Sequence, residues 1–236
     1  MLQLEEDNII KSIIELLEGN KIQILKLQKC SSEDFLLIAS LFKNNSPNNK
    51  TITVDPTIVS CIIKDLQYQD AMRQKLEHIE TIDDLLLKEL KQSLIQNGDI
   101  IYCTVIREII TLNIAQLKVM SEEYRLIVEN LQKNIQKIET KEIVDNSYNI
   151  SKYLSQNQLT DTLIKDIIEK HTLISKLSLE YKHKRKKDIN AVLLKLRDVY
   201  TMQSERDVFN KIFEKEIRNN QDNQFESNQE NNIEFF

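Results

Sequence analysis

Apolar side chains recur three and four positions apart along most of this chain, a spacing that places them on one face of an α-helix. The first such stretch is residues 8–18, with Ile9, Ile10, Ile13, Ile14 and Leu17. The later ones are residues 56–78, 82–96, 100–139, 158–177 and 188–217. The pattern predicts an all-α protein.

One segment near the N-terminus departs from the helical pattern. Residues 21–28, KIQILKLQ, alternate apolar and polar side chains, which is typical of a strand, and residues 51–54, TITV, are a candidate partner. Residues 31–34, SSED, predict the start of a second helix after the strand. We therefore expect residues 1–55 to form a helical segment that includes a small hairpin.

Residues 56–217 are expected to form an elongated helical bundle domain. Asp55 and Pro56 predict a helix start, because a proline at the first helical position loses no hydrogen bond. Asn97 and Gly98 predict the end of that helix or of its continuation past a bend near Thr81. The long helix over residues 100–139 then completes an antiparallel helical hairpin.

The C-terminal residues 218–236 are predicted to be a disordered tether, because nine of the fourteen residues 219–232 are Asn or Gln and the segment carries too few apolar side chains to form a core. The tether ends in Glu234, Phe235 and Phe236, either as a binding peptide or as a mere tail. The basic residues 182–187 are interpreted as a solvated connector, with a docking patch for an acidic partner as the alternative.

Composition narrows the class of protein. Among 236 residues there are only 2 glycines, too few for the turns of a β-sandwich or the phosphate loops of an α/β nucleotide-binding fold. A formal net charge of -5 argues against binding to nucleic acid. The apolar runs are too short to cross a membrane, and the acidic N-terminus is unlike a secretory signal, so we expect a cytoplasmic protein. The spacing of Cys and His residues predicts no metal site of the chain's own.

Residues 67–79, QYQDAMRQKLEHI, carry more polar side chains than helix packing needs. Helical geometry places Asp70 and Gln74 side by side at the margin of the apolar face, with Gln67 and His78 toward solvent. It places Arg73 on the apolar side, with Asp70 and Glu77 as its available partners. A glutamine in this setting can hold a water molecule for in-line attack on a phosphoryl group, provided that a partner supplies the phosphoryl group and a metal ion.

This segment resembles that of the CheZ family of chemotaxis phosphatases, in which a helix carries Asp-x-x-x-Gln. The resemblance implies that Gln74 orients the water that attacks the phospho-aspartate of a CheY-like response regulator, which carries its own Mg²⁺. Asp70 would contact the regulator's active-site lysine. The partner-binding residues would be Gln67, Arg73, Glu77, His78, Glu234, Phe235 and Phe236. It also implies a homodimer whose two hairpins form a four-helix bundle.

Two features depart from the family pattern. The motif lies in the first third of the chain instead of late in the hairpin, and Arg73 stands where a small residue is common, so it either crowds the site or contacts the phosphoryl group. Residues 200–209, YTMQSERDVF, also resemble a segment of helical chemotaxis-associated proteins, without an evident mechanism.

Two other functional classes stay open. A non-catalytic chemotaxis scaffold or receptor adaptor would bind a signalling partner through the same face, and binding would survive loss of the Gln74 carboxamide. A dimeric coiled-coil protein unrelated to signalling would not bind a phosphorylated receiver domain.

Overall fold

A computed structural model describes residues 2–43, 56–95, 105–138, 147–180 and 189–213, and their regular secondary structure is entirely helical. The helices are α1 (Leu2–Lys43), α2 (Pro56–Ile95), α3 (Ile106–Ile138), α4 (Ser147–Glu180), α5 (Ile189–Val199) and α6, which covers residues 203–213. The all-α prediction is confirmed. The segments 51–54, 97–98 and 182–187 and the C-terminal residues 214–236, with Glu234, Phe235 and Phe236, lie outside the described residues.

The four long helices pack as a bundle in which each neighbouring pair is antiparallel. On α1 and α2, Glu18 pairs with Lys91 and Lys21 pairs with Asp84, so contacts further along one helix lie earlier on the other. The remaining neighbours follow the same order, through the contacts Tyr68–Glu123, Asp83–Asn113, Asn113–His171 and Tyr124–Asn157. The bundle closes where α4 packs against α1. One chain therefore supplies all four helices, and a second copy is not needed to complete the bundle.

The strand predicted for residues 21–28 is wrong, because these residues lie within α1. Their exposure follows a helical period: Ile24 and Leu27 are fully buried, whereas Ile22 is 56% and Leu25 49% exposed. The helix start predicted at residues 31–34 is wrong as well, since α1 continues through them. Burial of Ile24 and Leu27 against α2 and α4 outweighs the local alternation of apolar and polar side chains, which has no strand to pair with among the described residues.

The bundle core consists of two apolar clusters separated by a polar layer. One cluster contains Leu17, Ile82, Leu112 and Ile174, and the other contains Ile24, Ile79, Leu117 and Ile167. Between them lie four polar residues, one from each long helix, each at most 1% exposed: Asn20, Asp83, Asn113 and His171. These four residues are the polar layer.

His171 is the centre of the polar layer. Its Nδ1 lies 2.9 Å from the Ile167 carbonyl oxygen and its Nε2 lies 3.2 Å from Asp83 Oδ1, so both ring nitrogens face acceptors. Burial alone would lower the pKa of His171, but the Asp83 carboxylate outweighs it, and the pKa is raised. Asn113 Nδ2 donates to the same Asp83 oxygen at 3.0 Å, and Asn20 Nδ2 lies 3.0 Å from His171 Nδ1. The layer thus links all four helices at one level.

The helix predicted for residues 188–217 is interrupted in the structure. α5 ends at Val199, residues 200–202 are not helical, and α6 begins at residue 203. Tyr200 and Phe209 are fully buried in the apolar cluster formed with α2 and α3, together with Leu193, Leu196 and Phe213. Turning the chain at residues 200–202 lets both short helices place their apolar faces against the bundle.

Candidate functional site

Asp70 and Gln74 lie side by side on the surface of α2, as the sequence predicted. The Asp70 side chain is 58% exposed and Gln74 is partly exposed. Gln74 Nε2 donates a hydrogen bond to Asp70 Oδ2 at 2.8 Å. This bond commits the Gln74 amide nitrogen and leaves its carbonyl oxygen, Oε1, directed away from Asp70 as an acceptor.

Arg73 also lies on the surface, so its predicted place on the apolar side of α2 is wrong. Its side chain is 44% exposed, and the buried positions around it are Met72, Leu76 and Ile79. The predicted partners are confirmed. Arg73 Nε and Nη2 donate to Asp70 Oδ1 at 3.2 and 2.7 Å, and Nη1 donates to Glu77, which is exposed. These pairs, three and four residues apart on the helix, keep the guanidinium on the solvent-exposed surface and away from the core.

The two oxygens of Asp70 therefore have different partners. Oδ1 accepts from Arg73 and Oδ2 accepts from Gln74. The hydrogen bonds from Arg73 first and Gln74 second hold the pKa of the Asp70 carboxyl below its usual range. Asp70 is thus a carboxylate at neutral pH, and it carries its negative charge before a cation from a partner protein binds.

Gln67 and His78, the other predicted partner-binding residues on α2, differ in exposure. Gln67 is exposed, as predicted. His78 was predicted to face solvent, and this is wrong: its side chain is only 18% exposed. Its Nδ1 lies 2.8 and 2.9 Å from the two carboxylate oxygens of Glu205. That hydrogen bond raises the pKa of His78 despite its partial burial.

Glu205 belongs to residues 200–209, and the structure brings this segment into contact with α2. Its side chain is 1% exposed, and its Oε2 accepts from the Met202 backbone N–H at 3.3 Å. Its backbone oxygen accepts from Gln116 Nε2 of α3 at 2.9 Å. Sequence reasoning missed Glu205, because its partner on α2 is 127 residues away and no local spacing points to it.

The other side of the motif is fixed to α3. The Tyr68 hydroxyl donates to Glu123 Oε2 at 2.8 Å, and Lys75 Nζ donates to the same oxygen at 2.6 Å. Lys75 is 3% exposed, and its Nζ lies 5.8 Å from the centre of the Tyr68 ring. Polar contacts to α3 and α6 therefore bracket the turn of α2 that carries Asp70 and Gln74, and they fix its position in the bundle.

The Gln74 carboxamide can orient a water molecule, but the side chains around it cannot bind a phosphoryl group by themselves. Asp70 is anionic and would repel a phosphate, and the exposed cation beside it, Arg73, is already paired on both sides. Across the described residues, no group of three or more His, Cys, Asp or Glu side chains is placed to hold a metal ion.

Comparison of the chain with protein-family models, curated proteins and solved structures gives no match. Within the part of the chain that the structure describes, no helix combines the length and the apolar character needed to cross a membrane.

Proposed function

We propose that this protein dephosphorylates a CheY-like response regulator in chemotaxis or two-component signalling. The observation that carries the proposal is the exposed Asp70–Gln74 pair, in which a 2.8 Å hydrogen bond orients the carboxamide. Such a hydrogen bond fixes the rotation of the Gln74 amide before any partner binds, and pre-orientation of this kind lowers the entropic cost of catalysis.

In the proposed reaction, Gln74 Oε1 accepts a hydrogen bond from a water molecule placed in line with the phospho-aspartate of the regulator. The water oxygen bonds to phosphorus while the bond from phosphorus to the aspartate oxygen breaks. The products are inorganic phosphate and the free aspartate, and the water's protons pass to phosphate and solvent. The regulator's Mg²⁺ would stabilise the charge on the phosphoryl oxygens, so the chain needs no metal ion of its own.

Asp70 would align the two proteins by contacting the regulator's active-site lysine. Its low pKa supports this role, because the carboxylate is charged at neutral pH. Arg73 occupies Oδ1 in the free chain. Since both groups are exposed, an incoming lysine can replace Arg73, which then becomes free to contact a phosphoryl oxygen.

A second candidate function is a non-catalytic scaffold or adaptor that binds a signalling partner through the same surface. The two hydrogen bonds from Arg73 to Asp70 favour the scaffold function, because the carboxylate that would receive the lysine is already paired with a cation. Gln67 and Glu77 are exposed and suit either function.

Three further elements belong to the proposal. Response regulators of this type act in the cytoplasm, so we place the protein there. A homodimer would have to form through a surface outside the four-helix core, since one chain already fills it. The peptide Glu234–Phe236 would tether the regulator and raise its effective concentration near Gln74.

The test is phosphate release from a panel of phosphorylated CheY-like proteins with Mg²⁺ present. The chain should accelerate release, and Gln74→Ala should lower the rate at saturation by about 100-fold or more while binding persists. Gln92→Ala is the matched control, since Gln92 is exposed on the same helix about 27 Å away. If wild type binds the receivers without accelerating release, the scaffold function replaces this one.

A further inference from the structure

The His78–Glu205 pair joins the candidate site to the turn between α5 and α6. Gln74 and His78 are four residues apart on α2, so their Cα atoms are separated by about 6 Å along the helix axis. Glu205 reaches His78 from the first turn of α6 with both carboxylate oxygens. Glu205 therefore contacts a residue that lies one helical turn from Gln74, the side chain proposed to orient the water.

The position of this segment depends on satisfying a buried carboxylate. An unpaired carboxylate at 1% exposure would be strongly destabilising, and Glu205 has His78 and the Met202 N–H as partners. The groups that face His78 are Glu205 and the Tyr200 ring from the α5–α6 region and Glu77 on α2 itself, with Gln116 of α3 bonded to the Glu205 backbone. Removing His78 leaves the carboxylate without its only side-chain partner among these groups, so the segment should shift.

The solvent side of the same segment is polar and accessible. Thr201 and Gln203 are exposed, and Met202 and Ser204 are partly exposed. Gln203 Nε2 donates to Asp207 Oδ1 at 2.8 Å, which leaves its carbonyl oxygen as an acceptor. A receiver domain seated on Asp70 and Gln74 would extend over this neighbouring surface, because a stable protein interface needs about 800 Å² on each partner and one helical turn offers far less.

We propose that His78 and Glu205 are positioning residues that hold residues 200–206 beside the Asp70–Gln74 pair, where Thr201 and Gln203 form a second contact surface for the phosphorylated receiver domain. This inference rests on the proposed function for the identity of the partner. It predicts that the two regions act on different kinetic quantities, since Gln74 acts on the reacting water and residues 200–206 act on docking.

The experiment compares four proteins: wild type, His78→Ala, His78→Asn and Gln74→Ala. Each is titrated with a CheY-like receiver activated by beryllofluoride, and phosphate release is measured separately with the phosphorylated receiver. For His78→Ala we expect the Kd and the KM to rise about tenfold, a change worth about 1.4 kcal/mol. His78→Ala should therefore need a higher concentration of receiver but keep its rate at saturation. Gln74→Ala should have a lower rate at saturation and an unchanged Kd.

His78→Asn separates charge from position. The Asn amide nitrogen can replace Nδ1 as a donor to Glu205 but carries no charge, so affinity near neutral pH should be largely restored. In wild type, affinity should weaken only slightly as the pH rises through the raised pKa of His78, because neutral imidazole can still donate Nδ1–H to Glu205 and only the charge assistance is lost. His78→Asn should lack this step. If His78→Ala loses affinity for a merely structural reason, His78→Asn should restore that affinity, and the pH profile of affinity should be the same in wild type and His78→Asn.

Hydrogen exchange of the free chain tests the positioning step without a partner. The Met202 and Arg206 backbone amides should exchange faster in His78→Ala than in wild type, with α1 and α4 unchanged. If exchange rises but the Kd stays within twofold of wild type, residues 200–206 are not a contact surface and the inference is wrong. If His78→Ala lowers only the rate at saturation, it is wrong as well.

The outcomes also separate this inference from the proposed function. A wild-type chain that binds receivers but releases no phosphate refutes the phosphatase proposal, while the Kd comparison still decides the second contact surface. A wild-type chain that binds no activated receiver at all refutes both.

Discussion

The polar layer offers the most quantitative prediction about stability. In Asp83→Ala, two buried donors lose their acceptor, namely His171 Nε2–H and Asn113 Nδ2. A buried donor left without a partner costs about 1–3 kcal/mol, so the two together give about 2–6 kcal/mol. Breaking a buried ion pair by removing one member costs about 3–5 kcal/mol, which agrees. We expect Asp83→Ala to lower the free energy of unfolding by about 3–5 kcal/mol.

A double-mutant cycle with His171→Ala isolates the interaction. Once Asp83 is gone, removing His171 also removes one stranded donor, so the double variant should cost less than the sum of the single variants. We expect a coupling energy of about 1–3 kcal/mol, measured by urea unfolding followed by circular dichroism. The control cycle uses Asp161 and Lys165, an exposed ion pair on α4 for which the coupling should stay near 0.5 kcal/mol or below. Additive costs at Asp83 and His171 would refute the interpretation of the layer as one linked network.

Three shorter predictions concern the stability of other contacts and its dependence on pH. Phe209→Ala should lower the free energy of unfolding by about 3–5 kcal/mol, because Phe209 is fully buried between α6 and the bundle; urea unfolding measures it. Tyr68→Phe should cost about 0.5–1.5 kcal/mol in the same assay through loss of its hydrogen bond to Glu123, and a cost above 3 kcal/mol would contradict this. The raised pKa of His171 should stabilise the fold fully below pH 6.5, its ordinary pKa, and this contribution should vanish as the pH rises through the raised value. Urea unfolding across pH should show that fall in wild type and a smaller one in His171→Asn.

Helical periodicity predicted most of the fold, because burial on four packed helices repeats every three to four residues. Pro56 begins α2 as predicted, and the two long helices predicted after it are confirmed as the antiparallel pair α2 and α3. Residues 21–28 were wrongly predicted to form a strand, since their alternation of apolar and polar side chains is local whereas their burial is decided by packing against α2 and α4. The single chain's four-helix bundle was missed because the family resemblance implied a bundle assembled from two hairpins of a homodimer, and because residues 1–55 were expected to contain a hairpin where α1 is one continuous helix.

The candidate site was predictable only where its contacts are local. Asp70, Gln74 and Arg73 lie within one turn of each other, so helical geometry was enough to pair them. The burial of His78 depends on Glu205, and nothing within a few residues of either indicates the other. Arg73 was misplaced because a helical wheel cannot weigh a position at the edge of the apolar face, where pairing with two carboxylates favours solvent.

The most direct test of the central claim is the decay of a phosphorylated CheY-like receiver held at saturation by wild type or by Gln74→Ala, with Mg²⁺ present. Saturation removes differences in affinity, so the rate reports the water-orienting step alone. If Gln74 orients the attacking water, wild type should accelerate decay and Gln74→Ala should return it to about the rate of the receiver alone. Equal decay with the two proteins, at equal occupancy, would contradict the claim and leave α2 as a docking surface.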